Sequence, residues 1–288
     1  MKQKLKILLE LTKFKITSFV TITTAFGYIA ANGSVNLYII PVLIGILLLA
    51  CGSAALNHYQ ERHLDSLMSR TSYRPIPSKR ISERDALQVS LLFIVSGSFI
   101  LFFGEGVLAL GLGLLNLIWY NLVYTLLKRK TAYAIIPGSL VGAIPPAVGW
   151  VSAGGYLFDP QIIIISFFFF IWQIPHFWLL LLLFDEDYKR AGLPTLTQIF
   201  DKNQLARITF IWVAATAVTG LLIPLFGLVK LVPVNLLLFF GGILLTWNAF
   251  KLITETENDL SFKFAFRYIN LFALFVVFLV SLDKLIFR

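Results

Sequence analysis

The sequence predicts an all-α integral membrane protein with about nine transmembrane helices, on three grounds. Charged residues make up 14% of the 288 and hydrophobic ones 58%, too little charge for a soluble domain. Apolar runs of the roughly 20 residues needed to cross a bilayer recur along the whole chain. Basic residues crowd into alternate connections between those runs. In lipid, backbone groups must bond internally, which leaves helices or a closed barrel. Runs such as Gln161 to Phe184 lack the alternation of a barrel strand.

In chain order the predicted spans are 14–32, 37–56, 86–104, 106–127, 132–153, 160–184, 205–226, 229–250 and 265–285. The first follows a basic stretch with no small-residue cleavage site after it, so it reads as a retained helix rather than a signal peptide. The N-terminus and the connections after helices 2, 4, 6 and 8 hold all of the 24 Lys and Arg residues except Lys230, Lys284 and Arg288. Positive residues collect on the cytoplasmic side, which puts the N-terminus inside and the C-terminus outside. That one-sidedness accounts for the net charge of +9 and argues against nucleic acid as a partner. Residues 1–13 form a basic N-terminal segment in which Lys2, Lys4 and Lys6 alternate with Leu5, Ile7, Leu8 and Leu9, a pattern suited to an anionic membrane surface. Cys51 is the single cysteine, so no intrachain disulfide forms; it reads as a small packing residue.

The two long cytoplasmic connections carry the chemistry-bearing residues. At the end of helix 2, in NHYQERHLDSLMSRTSYRPIP, Asn57, Glu61 and Asp65 share one helical face over roughly 12 Å. The expected setting is a solvated helix end. A row of oxygen donors suits Mg²⁺, which takes one or two carboxylates and fills its shell with water and substrate phosphate. Arg70 and Arg74 follow, with guanidinium forks that fit phosphate oxygens. At the end of helix 6, in FDEDYKRAGLPTL, Asp185 and Asp187 meet one metal only if the helix has ended; Lys189 and Arg190 repeat the order of acids then bases. Tyr124 and Lys128, at i and i+4, stack on one face of helix 4 at the same membrane side. Ordinary ion pairs and snorkelling are the plain alternatives for these groups. His176 lies inside helix 6 in IWQIPHFW. It reads first as a packing histidine serving a carbonyl freed by Pro175, and second as a contact for an iron-bearing ligand. No close pair of His or Cys points to structural zinc.

Together these motifs resemble the UbiA superfamily of intramembrane prenyltransferases. The resemblance covers LTKFKITSFVTITTAFGYIAA, residues 57–77, YTLLKRKT, PGSLVGAIPPAVGW, IWQIPHFW and DYKRAGLPTL, and fades through helices 7 to 9. The PPAVGW and WQIPHFW segments resemble the heme branch rather than the quinone branches. The resemblance implies a single domain over residues 1–288, a helical barrel whose central cavity opens to lipid under a cytoplasmic cap, in the cell inner membrane. It implies Mg²⁺ at Asn57, Glu61, Asp65 and Asp187, with Asp185 the candidate to complete the second motif. Arg70, Arg74, Lys128, Lys189 and Tyr124 would hold diphosphate. The implied substrates are farnesyl diphosphate and heme b, the product heme O for heme-copper oxidases, and His176 a possible heme contact. A heme A synthase or oxidase assembly partner is admitted but specified by no residue. Three departures stand out: Glu61 replaces the usual Asp, His63 occupies a commonly acidic position, and Phe14 replaces Pro between Lys13 and Lys15. The second motif also lacks DxxxD spacing, because Ala191 stands four residues after Asp187.

Two other readings fit parts of the pattern. One is a prenyltransferase acting on a quinone precursor or another lipid acceptor. The other is a multi-span transporter, which would place its polar groups near the bilayer midplane rather than at one face.

Overall fold

The computed structural model describes residues 2–254 and 259–287. Among the described residues there is no strand, and nine helices are long and apolar enough to cross a membrane. A short amphipathic helix α1 (Lys2–Leu11) precedes them. The spans are α2 (Phe14–Asn32), α3 (Ile39–Leu67), α4 (Glu83–Glu105), α5 (Val107–Leu127), α6 (Ala132–Ser152) and α7 (Pro160–Leu183). A six-residue helix α8 (Asp185–Arg190) leads to α9 (Lys202–Phe226), α10 (Val232–Thr254) and α11 (Ser261–Ile286).

The predicted spans are all present; their ends differ where polar residues continue a helix. The largest difference is α3, which runs on to Leu67, eleven residues past the expected end at 56. Asn57, Glu61 and Asp65 are therefore fully helical and buried, with Asp65 at 0% exposure. The expectation of a solvated helix end is wrong here: α3 carries its acidic face inside the bundle. The start of α4 is set by Ser82, whose hydroxyl accepts from the Asp85 amide at 3.0 Å, and α9 starts at an Asp201–Gln204 capping box.

Lipid gives helices no hydrophobic reason to associate, so close backbone approach and buried polar contacts hold the bundle together. Helices α2 and α6 cross at Gly27 and Gly149, where a Cβ on either would overlap the other helix's backbone. Gly52 and Gly97 do the same for α3 and α4, where a Cβ on Gly45 would strike the Leu101 side chain, and Ser90 donates to the Gly52 carbonyl across that crossing at 2.7 Å. A polar zipper joins α3 to α5. Asn121 donates to the Ser53 carbonyl at 3.0 Å and to Gln60 Oε1 at 3.1 Å, while the Asn57 amide donates to Thr125 at 3.1 Å. This zipper fixes the rotation of α3, and thereby the direction of its acidic face.

Two helices depart from regular geometry beside that face. A π-helical turn occupies Trp119–Tyr124 in α5, a feature that re-aims side chains. It stacks Tyr120 on Tyr124 at 6.0 Å, and Tyr124 in turn stacks on Phe177 of α7 at 5.8 Å. Helix α6 is broken near Ser139 and carries Pro145 and Pro146. Gly138 leaves room for the Tyr124 ring, which a Cβ would strike.

Candidate active site

The bundle holds a cavity of about 560 Å³, within the range of small-molecule sites, open at one side past Ile16, Phe19 and Ile22. Its polar end is formed by α3, α5 and the loop after α3. Its apolar remainder is walled by residues such as Phe169, Trp172, Phe177, Ala273 and Leu274. Five basic side chains reach it, Lys13, Lys15, Arg70, Arg74 and Lys128, against the two carboxylates Glu61 and Asp65. The excess of positive charge sits above an apolar chamber.

Each oxygen donor of α3 is matched to a base. Arg74 donates to both oxygens of Asp65, at 2.7 and 2.8 Å. Lys128 pairs with Glu61. Lys13 donates to Asn57 Oδ1 at 2.7 Å and lies 3.3 Å from the Tyr120 hydroxyl. Charges in a low-dielectric interior are tolerated when paired in this way. Burial, and then the charge of Arg74, push the Lys13 ammonium down to about 7. Its backbone is held at φ 49° between α1 and α2, a left-handed conformation that costs a non-glycine residue of order 1 kcal/mol or more. Arg70 differs from the other bases. Its guanidinium lies 4.6 Å from the Phe184 ring, and its buried Nε has no hydrogen-bond partner, leaving donors free for an anion.

The second acidic motif is placed differently. Both oxygens of Asp187 accept backbone hydrogen bonds from the loop after α3, from Ser69 at 3.0 Å and Arg70 at 3.1 Å. Desolvation opposes its charge, but the two amides outweigh it and hold the carboxyl below the usual aspartate range. Asp185 faces elsewhere, bonded to Thr197 at 2.7 Å and to Lys189 at 2.6 Å. The hydrogen bond that Lys189 donates to Asp185 is the main reason that Lys189 is shifted upward. Helix α8 begins directly after α7, so the two aspartates diverge as helical neighbours must. Asp185, Asp187 and Lys189 are not part of the cavity wall, whereas Asn57, Glu61, Asp65, Arg70, Arg74, Tyr124, Lys128 and His176 are.

Among the described residues no group of three or more His, Cys, Asp or Glu side chains is arranged to hold a metal ion. The α3 face still fits Mg²⁺ by its donor chemistry: two carboxylates and an amide oxygen line one cavity end, and this ion needs few protein ligands. Two wall residues, Lys13 and Tyr120, were not among the predicted site residues. Both stand one short step from quoted motifs, Lys13 inside LTKFKIT and Tyr120 one turn before Tyr124. Only the folded helices show that Lys13 bonds both Asn57 and the Tyr120 hydroxyl.

The UbiA prenyltransferase family pattern matches residues 19–276. The chain is 31% identical over 278 residues to a protoheme IX farnesyltransferase of Oleidesulfovibrio alaskensis, covering 96% of both chains. It is 42% identical over 186 residues to one of Geobacter sulfurreducens, covering 65% of this chain and 68% of that one. Among solved structures, one from work on digeranylgeranylglyceryl phosphate synthase aligns with a TM-score of 0.79 at 16% identity, covering 99% of both chains. A UbiA homolog from Archaeoglobus fulgidus bound to DMAPP and Mg²⁺ aligns with a TM-score of 0.71 at 16% identity, covering 98% of this chain and 99% of that one. With a match across most of its length and the corresponding helical fold, the chain belongs to the UbiA prenyltransferase family.

Proposed function

We propose that this protein transfers the farnesyl group of farnesyl diphosphate to a vinyl group of heme b, giving heme O and diphosphate for heme-copper oxidases. The observation that carries the reading is the cavity itself, with a cationic, carboxylate-bearing end joined to an apolar chamber. The names of the relatives supply the prenyl donor and the acceptor. A transporter would concentrate its charged groups near the midplane, whereas the charged residues of this cavity gather at one end.

In this reading Asn57, Glu61 and Asp65 hold Mg²⁺, with Asp187 and Asp185 as the second-motif candidates. The metal supplies charge neutralisation for the departing diphosphate. Arg70, with its free donors, accepts the diphosphate first. Arg74, Lys128 and Lys13 then turn from their carboxylate and amide partners toward phosphate oxygens, Lys189 approaches from α8, and Tyr124 orients the group. The C1–O bond of the prenyl donor breaks with its electron pair leaving on diphosphate. The vinyl group attacks the allylic carbon, forming a C–C bond, and water completes the hydroxyethylfarnesyl side chain with loss of a proton. Stacked faces of Tyr120, Tyr124 and Phe177 stabilise positive charge between the two ends. The dry chamber keeps water from the allylic carbon until the new bond has formed.

The basic connections support a cytoplasmic N-terminus and site; the reading takes residues 1–288 as one domain in the inner membrane. Incubating the purified protein in lipid nanodiscs with heme b, farnesyl diphosphate and Mg²⁺ tests the reading by mass spectrometry. Heme O is the expected product; prenylation of an aromatic quinone precursor but not heme b would overturn it.

A further inference from the structure

His176 stands in α7 about 10 Å from the end of the helix at Leu183, by the helical rise. Its Nδ1 lies 2.7 Å from Oδ1 of Asn270 on α11. The Asn270 amide nitrogen is committed to the Phe266 carbonyl at 2.6 Å, so the atom it turns to the imidazole is its oxygen. An amide oxygen only accepts, and therefore Nδ1 of His176 carries the proton. In the neutral imidazole, Nε2 then holds a lone pair. The ring is thus bonded to a neighbouring helix, as the packing reading expects, through a side-chain amide rather than a carbonyl freed by Pro175.

The ring is also fixed in its plane. Trp172 lies 4.8 Å from it and Phe266 5.1 Å, each tilted by about a third of a right angle. Trp172 is itself anchored by an indole hydrogen bond to the Ile269 carbonyl at 3.2 Å. His176, Trp172 and Asn270 all line the apolar chamber, and His176 is half-buried. A histidine that only joined α7 to α11 would need one nitrogen. Here Nδ1 alone is committed to Asn270, on a ring that lines the chamber and whose tautomer and orientation are set by a partner amide. That is how proteins prepare an imidazole to bind a metal.

We propose that Nε2 of His176 is an axial ligand for the iron of the heme acceptor, so that the apolar chamber is a metalloporphyrin subsite oriented by the His176–Asn270 pair. The inference rests on the reading that heme is the acceptor. A single neutral imidazole suits heme iron, and one such bond fixes the iron's position while the chamber walls select which edge of the macrocycle faces the prenyl donor.

The test compares binding of heme b and iron-free protoporphyrin IX to the protein in nanodiscs, by absorption spectroscopy and titration. For His176→Gln the expected result is a shifted Soret band and a loss of heme affinity of at least about tenfold, with protoporphyrin IX affinity unchanged. Added imidazole should restore the heme spectrum. Asn270→Leu, which keeps the imidazole but removes its proton acceptor, should weaken heme binding in the same direction. An unchanged heme spectrum and affinity in His176→Gln would overturn the proposal, as would equal loss of both porphyrins, the mark of a packing role. Should His176→Gln fail to fold, an unaltered heme spectrum in Asn270→Leu overturns it. A wild-type protein that binds neither porphyrin refutes the heme reading itself, an outcome distinct from failure of the ligand assignment.

Discussion

Asp187 accepts hydrogen bonds from the backbone amides of Ser69 and Arg70, 118 and 117 residues earlier in the chain. One carboxylate thus ties the loop after α3 to helix α8 and holds in place the loop that carries Arg70 and Arg74. The second acidic motif is thereby tied to the loop that follows the first.

Removing that tie should loosen the loop. In Asp187→Ala, amide exchange at Ser69 and Arg70 should speed up by about 30-fold, the equivalent of roughly 2 kcal/mol for hydrogen bonds to a charged acceptor. Hydrogen–deuterium exchange of the detergent-solubilised protein reads it, and unchanged protection at both amides would contradict the role. Prenyl transfer should fall alongside, with KM for the prenyl diphosphate rising.

Asp65→Ala should abolish turnover and also destabilise the protein, because it strands the Arg74 guanidinium beside buried apolar surface. The cost of breaking a buried pair from one side is about 3 kcal/mol. Thermal unfolding of Asp65→Ala, Arg74→Ala and the double variant supplies the coupling; additive losses would mean that the 2.7 Å contact contributes nothing.

Glu61 contacts Lys128 in the structure, at a position where the sequence resemblance implies Asp. Glu61→Asp should retain activity within about tenfold, since a shorter carboxylate still ligates Mg²⁺. Glu61→Gln, isosteric but uncharged, should lose activity by about a hundredfold or more, a loss typical of removing one charge-stabilising group. Steady-state assays over a Mg²⁺ series distinguish the two, and an inactive Glu61→Asp would show that the local geometry has been rebuilt around Glu.

Gly149→Val should prevent correct packing of α2 against α6, because its Cβ would enter the Thr24 carbonyl. Backbone on both sides leaves no flexible side chain to yield, so a loss of at least about 3 kcal/mol is expected, at the upper end for overpacking. Yield of monodisperse protein and its melting temperature check this, and a wild-type melting temperature would refute the tight crossing.

The nine spans follow from the sequence because crossing a hydrocarbon layer imposes a length and a polarity that each segment must satisfy alone. The α3 motif was equally legible: a spacing of four residues puts Asn57, Glu61 and Asp65 on one face whatever surrounds them. Their burial was not legible, because it depends on α3 continuing to Leu67 and on a polar zipper from α5, a residue set far along the chain. Lys13 bridges Asn57 and Tyr120 only when the start of α2, α3 and α5 are side by side. The divergence of Asp185 from Asp187, and the commitment of Asp187 to two backbone amides, depend on where α7 stops and how α8 docks. The tautomer of His176 is decided by Asn270, 94 residues away. Local periodicity and solvent polarity act within a segment, so the sequence by itself determines the helices and their polar faces. Pairing of buried charges, choice of hydrogen-bond partner and shape of the chamber are relations between segments, and tertiary packing alone decides them.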